Sequence, residues 1–255
     1  MNKRCSRILF ATLAACVILG AYPVWAGDNV SADLVERART CGVFSGTIDQ
    51  VNSSVLDGSL EEAEGEKLLS PLVAACENKL PLAPFEDKLA EGLAKHIPPL
   101  LIARALNKKL DEYKFAKGLL GAPAKDADPQ LLIVLGEGLS KGVPRQDFEG
   151  YVSSYGDQAS EPFLVGMEMA SLLSQAGFDY KLTSSILDAG FAANSLSPQW
   201  RYFIRIVLVA RQRGLSDDFI AEAAKGVLGD GGSLGDASTR LGFTSRDLTG
   251  RDISN

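Results

Sequence analysis

One histidine, His96, stands in a chain of 255 residues, and that scarcity removes several chemistries at once. A histidine-centred metal site or a Ser, His, Asp triad would have to be built on this single imidazole, and no cluster of Cys, His or acidic residues with ligand spacing accompanies it. His96 falls at a break between two helical stretches, which suits a cap better than a ligand or a general base. Cysteine is scarce too, with four in the chain and no CxxC pair, so a thioredoxin-like redox motif is absent. No segment alternates strictly between apolar and polar residues, which leaves no signal for a half-buried strand. Basic residues number 26 against 32 acidic ones, a net charge of −6, which argues against a nucleic-acid partner. The longest apolar run near the start, Ile8 to Ala21, holds 14 residues. A bilayer span needs roughly 20.

What is present at the N-terminus reads as an export signal. Lys3, Arg4 and Arg7 precede the apolar run, Pro23 ends it, and Val24, Trp25 and Ala26 supply the small-residue pattern of a cleavage site. Residues 1–26 are therefore expected to leave, giving a periplasmic or secreted mature chain with no transmembrane segment. Leu13, Ala14, Ala15 and Cys16 resemble a lipobox, so acylation at Cys16 is the rival; the apolar residues that follow are unlike a lipoprotein's polar tether. Cys41 and Cys76 remain as an even pair in an exported protein and are expected to form a disulfide.

From Ser31 onward the periodicity predicts an all-α fold of tandem antiparallel helix pairs, arranged either like an α-solenoid or as an irregular bundle. Residues 27–79 form N-terminal helices, 80–228 a repeat region, and 229–255 a joint, a short helix and a polar tail. The repeat is explicit: LAEGLAKHIPPLLI from Leu89 and LGEGLSKGVPRQDF from Leu135 align without a gap at an offset of 46 residues. Glu91 matches Glu137, Gly92 matches Gly138, Lys95 matches Lys141, His96 matches Gly142, and Pro98 matches Pro144. A degenerate third unit follows at Leu187 to Phe191. Each unit reads as a helix, a break and a restart: the residue after the helix takes the left-handed conformation, an apolar residue enters the core, and Pro or Ser opens the next helix. The same chemistry recurs at Asn78–Pro81 and Gly214–Ser216. Ser59 and Glu62 predict a capping box, Asp128 a cap before Pro129, Pro71 a kink or a fresh start at Ser70, and a helix runs from Pro198 to Arg213. The glycine-rich Gly229–Asp236 lacks the Lys of a phosphate loop and the spacing of a calcium loop, so it reads as a flexible joint.

The EGLxKG(V/I)P phrase resembles segments of a group of exported bacterial all-helical proteins. That resemblance covers residues 80–150 and implies no activity, cofactor or substrate. Among the chain's own residues, Glu91 and Glu137 form the pair that could divide acid and base roles in a carboxylate hydrolase. Each also precedes a Lys by four residues, which predicts a surface ion pair instead. Gly92 and Gly138 inside helices cost about 0.8–1 kcal/mol each relative to Ala, so a closely approaching neighbour is expected at both. Arg201 and Arg205 stand one turn apart on an otherwise apolar helix and form a candidate interaction surface. The expectation is a binding or scaffold protein of the cell envelope, with a protein or envelope component as partner and no cofactor or metal. An envelope hydrolase and an outer-membrane lipoprotein are the alternatives.

Overall fold

The computed structural model describes residues 30–121 and 129–243, so the expected export signal, the expected cap Asp128 and the polar tail from Thr244 lie outside the described residues. Among the described residues there are twelve α-helices and one 3-10 turn, and no strand. In order they are α1 Ala32–Thr40, α2 Ser45–Leu56, α3 Glu62–Glu77, α4 Ala83–Ala94, α5 Pro99–Leu120 and α6 Pro129–Ser140. Then follow α7 Arg145–Tyr155, α8 Ser160–Gln175, α9 Tyr180–Ala192, the 3-10 turn Pro198–Tyr202, α10 Phe203–Gln212, α11 Asp217–Gly229 and α12 Leu234–Arg240. Elements that pack closely are never more than three places apart in the chain. Tandem stacking of this kind is the helical-repeat mode of building a core.

The joints explain the stacking. After α6, Gly142 takes φ +98°, its N–H bonds back to Leu139 O at 2.9 Å, and the N–H of Val143 reaches Gly138 O at 3.1 Å. These two returning bonds satisfy carbonyls that the helix end would otherwise leave open. His96 and Ile97 repeat the pattern onto Leu93 and Gly92, both at 3.0 Å. The same turn closes α1 at Val43, α3 at Leu80, α8 at Phe178 and α10 at Leu215.

Around eight of the left-handed residues, the position four before and the position six after are complementary in size. Ala38 goes with Ile48, Ala75 with Phe85, Gly92 with Ile102, Gly138 with Phe148, Gly190 with Trp200 and Ala210 with Ile220, all buried. Where the first is large, the second shrinks: Leu173 goes with Thr183, and Val227 with Ala237. A Cβ on Gly92 would lie 2.8 Å from Ile102, and one on Gly138 would lie 2.7 Å from the Phe148 ring. The helix glycines thus mark where the returning helix crosses closest, and the expected close neighbour is found at both.

Two apolar cores result. One runs from Val30 to Tyr113 and the other from Ala116 to Phe243, with α5 contributing to both and Leu132 packed on both. Cys41 and Cys76 are bonded, with Cα atoms 5.8 Å apart, and tie the end of α1 to the last turn of α3. Closing a loop with a separation of 35 residues restricts the unfolded chain by about 3–4 kcal/mol in the chain-entropy model.

Four local expectations are corrected. The capping box before α3 uses Glu61 and Glu64, while Ser59 hydrogen-bonds to Asp57 and Ser54. Pro71 starts no new helix at Ser70: α3 is continuous through it, and the hydroxyl of Ser70 bonds to Glu66 O. The predicted helix from Pro198 is split, because Pro198–Tyr202 winds as a 3-10 turn before α10 begins at Phe203. Gly229–Asp236 is a hydrogen-bonded turn in place of a loose joint: Gly232 N–H reaches Val227 O at 2.8 Å, and Ser233 and Asp236 cap α12 reciprocally.

Candidate functional site

Helix α6 carries the second copy of the repeat phrase, and its solvent-facing side separates two clefts. The larger, 670 Å³, lies among α4, α5 and α6 and is lined by Lys88, Glu91, Lys108, Lys109, Glu137 and Lys141 with Ile133 and Ser140. The smaller, 420 Å³, lies among α6, α8, the 3-10 turn and α10, with Ile133, Val134, Leu172, Tyr202 and Ile204 below Lys141, Arg201 and Arg205. Ile133, Glu137 and Lys141 line both, so the two depressions meet along α6.

Glu91 and Glu137 therefore face one cleft, yet their partners differ. Glu91 is exposed and clamped by Lys88 at 2.9 Å and Lys95 at 2.5 Å. Hydrogen bonds from Lys95 and Lys88 hold its carboxyl down at about 2. The expected pair between Glu137 and Lys141 is absent. Glu137 instead takes Lys109 Nζ at 2.5 Å and the Tyr113 hydroxyl at 2.8 Å, both from α5. Burial of two more groups decides this: Lys109 is 7% exposed, and a charge at that depth requires a partner, whereas Lys141 is hydrated on the surface. Burial and the Glu137 carboxylate push the Tyr113 hydroxyl well above its ordinary range. Gly136 admits the ring, since a Cβ there would lie 2.5 Å from it.

Sequence reasoning missed Lys109 and Tyr113, although the signal is present. Ile102, Leu106, Lys109, Tyr113 and Ala116 form the buried stripe of α5, and a lysine within such a stripe must find a carboxylate. Leu172 and Tyr202 were missed as well. Helix α8 is apolar nearly all round, so nothing in its sequence distinguishes Leu172 from the leucines it buries.

Arg201 and Arg205 do share a surface, but only Arg201 has an acid. Its Nε lies 3.2 Å from Glu168 Oε2 while donating its hydrogen bond to Pro198 O at 2.9 Å. That carboxylate oxygen is buried and has a cation near it but no aligned donor. Arg205 lies 5.0 Å from the centre of the Tyr202 ring and, like Lys141, makes no ion pair among the described residues. His96 is exposed and serves the turn after α4, with φ +53°. Among the described residues no group of three His, Cys, Asp or Glu side chains could hold a metal ion, and no helix is long and apolar enough to cross a membrane. The chain matches no protein-family model, no curated protein and no solved structure.

In the larger cleft the two matched carboxylates are already held, Glu91 by Lys88 and Lys95 and Glu137 by Lys109 and Tyr113. The smaller cleft offers apolar area under a cationic rim.

Proposed function

We propose that the chain is an exported binding module of the bacterial cell envelope, periplasmic or secreted, that works through the clefts along α6 and not through catalysis. The carrying observation is the smaller cleft: Leu172 and Tyr202 remain 37% and 48% exposed beside Lys141 and Arg205. Contiguous apolar surface with a polar rim is the usual mark of an interaction site. The Cys41–Cys76 bond supports an oxidising compartment. Tandem packing supports the same reading, because stacked helix pairs present extended surfaces to partners.

A photoreactive residue in place of Leu172, irradiated in intact envelope, tests the reading. A discrete crosslinked adduct is expected there and not from the same residue at Phe44, which is exposed at the start of α2, away from the clefts. Absence of an adduct at Leu172, or equal adducts at both sites, would overturn it.

A further inference from the structure

The smaller cleft has the form of a trough. Helix α8, which packs against α6, the 3-10 turn and α10, is taken as its floor and those neighbours as its walls. Packed helix axes lie about 8–10 Å apart, so a further helix seated over α8 would meet its neighbours at an ordinary packing distance.

Resting on the reading of this face as a binding site, we infer that the trough takes a helical protein segment with an apolar ridge and acidic flanks. The floor and walls present side chains. An extended peptide lying there would bury N–H and C=O groups without partners, whereas a helix satisfies its own. Leu172 on the floor and Ile133, Tyr202 and Ile204 on the walls receive the apolar ridge. Such ridges repeat at i, i+3, i+4 and i+7.

Charge fixes the flanks. Glu137 and Glu168 are already engaged, by Lys109 with Tyr113 and by Arg201. Lys141 and Arg205 are left without a carboxylate among the described residues, in a chain of net charge −6. Acidic side chains on the partner complete them, and Arg205, already over the Tyr202 ring, is positioned to accept one without losing that contact.

Fluorescence anisotropy with labelled synthetic peptides of about 18 residues provides the test, since that length gives about five helical turns. One peptide carries leucines at ridge spacing flanked by Glu, a twin is flanked by Lys, and a third is the Glu peptide with a central proline. The Glu peptide is expected to bind at least about tenfold more tightly than its twin, with the gap narrowing in high salt. The proline peptide should not bind. Leu172→Glu should abolish binding and Arg205→Gln weaken it while both variants keep the wild-type circular dichroism spectrum. Equal affinity for the Glu and Lys peptides, or retained binding of the proline peptide, overturns the inference. So does a dimer in sedimentation that Leu172→Glu abolishes, which would give the trough to a second copy of this chain. If crosslinks form at Leu172 in the envelope and the peptides fail, only the occupant is wrong; if neither occurs, the binding reading falls as well.

Discussion

Lys95 and Lys141 occupy the same place in two copies of one phrase, and only Lys95 holds its glutamate. Beneath the second copy α5 supplies Lys109 and Tyr113, and Glu137 goes to them. Beside it, Ile97 is 40% exposed while its counterpart Val143 is 4% exposed. Exposed Ala90 in the first copy corresponds to Gly136 in the second, buried against the Tyr113 ring. The first copy lies against α3 and α5; the second is held between α5 and α8. A repeated phrase thus fixes a path for the chain, and the neighbour laid across it decides what each side chain does.

Exchanging residues between the copies breaks or sharpens this contrast. The largest effect is expected from Glu137→Ala, which leaves the Lys109 ammonium buried without its carboxylate and costs about 3 kcal/mol. Glu91→Ala, which breaks only an exposed clamp, should shift the unfolding midpoint in urea far less, and equal shifts for the two variants would remove the distinction. Next comes Gly138→Leu, at about 2–3 kcal/mol, because its side chain would meet both Phe148 and Ser171. At Gly92 the nearest atoms to an added Cβ all belong to the flexible Ile102 side chain, so Gly92→Leu should lower the melting temperature less.

A smaller effect of opposite sign is expected from His96→Gly. His96 holds φ +53° where the second copy has Gly142. Relieving a left-handed non-glycine residue should stabilise by about 0.5–1 kcal/mol after the added freedom of the unfolded chain is counted, read as a higher melting temperature. The smallest concerns acid. The folded pKa of Glu91 is depressed from 4.5 to about 2, so the contribution of its clamp is present above the unfolded value and is lost as pH falls from 4.5 towards 2. Melting curves of wild type and Glu91→Gln should therefore converge across that window; a constant gap would count against the clamp.

Much of the architecture was legible because it is written locally. The break residues, the glycines within helices and the cysteine pair each act over a few positions or through one covalent bond. The partner of Glu137 was not legible, since it depends on which side of α5 meets α6, and a glutamate four residues before a lysine offers an equally sound local alternative. The 3-10 start at Pro198 and the uninterrupted α3 were missed for a related reason: neighbouring helices settle a winding that the segment alone leaves open. The arginines of the trough were legible as a pair. Its floor was not, because an apolar helix does not announce which of its leucines stays uncovered.

Helix α5 has a consequence for motion. It supplies Ile102, Leu106 and Tyr113 to one core and Ala116 to the other, so neither half can open fully without disturbing it. Amide exchange should be slowest near its middle and quicken towards α1 and α12, with the protein loosening from its ends inward and this helix releasing its protons last.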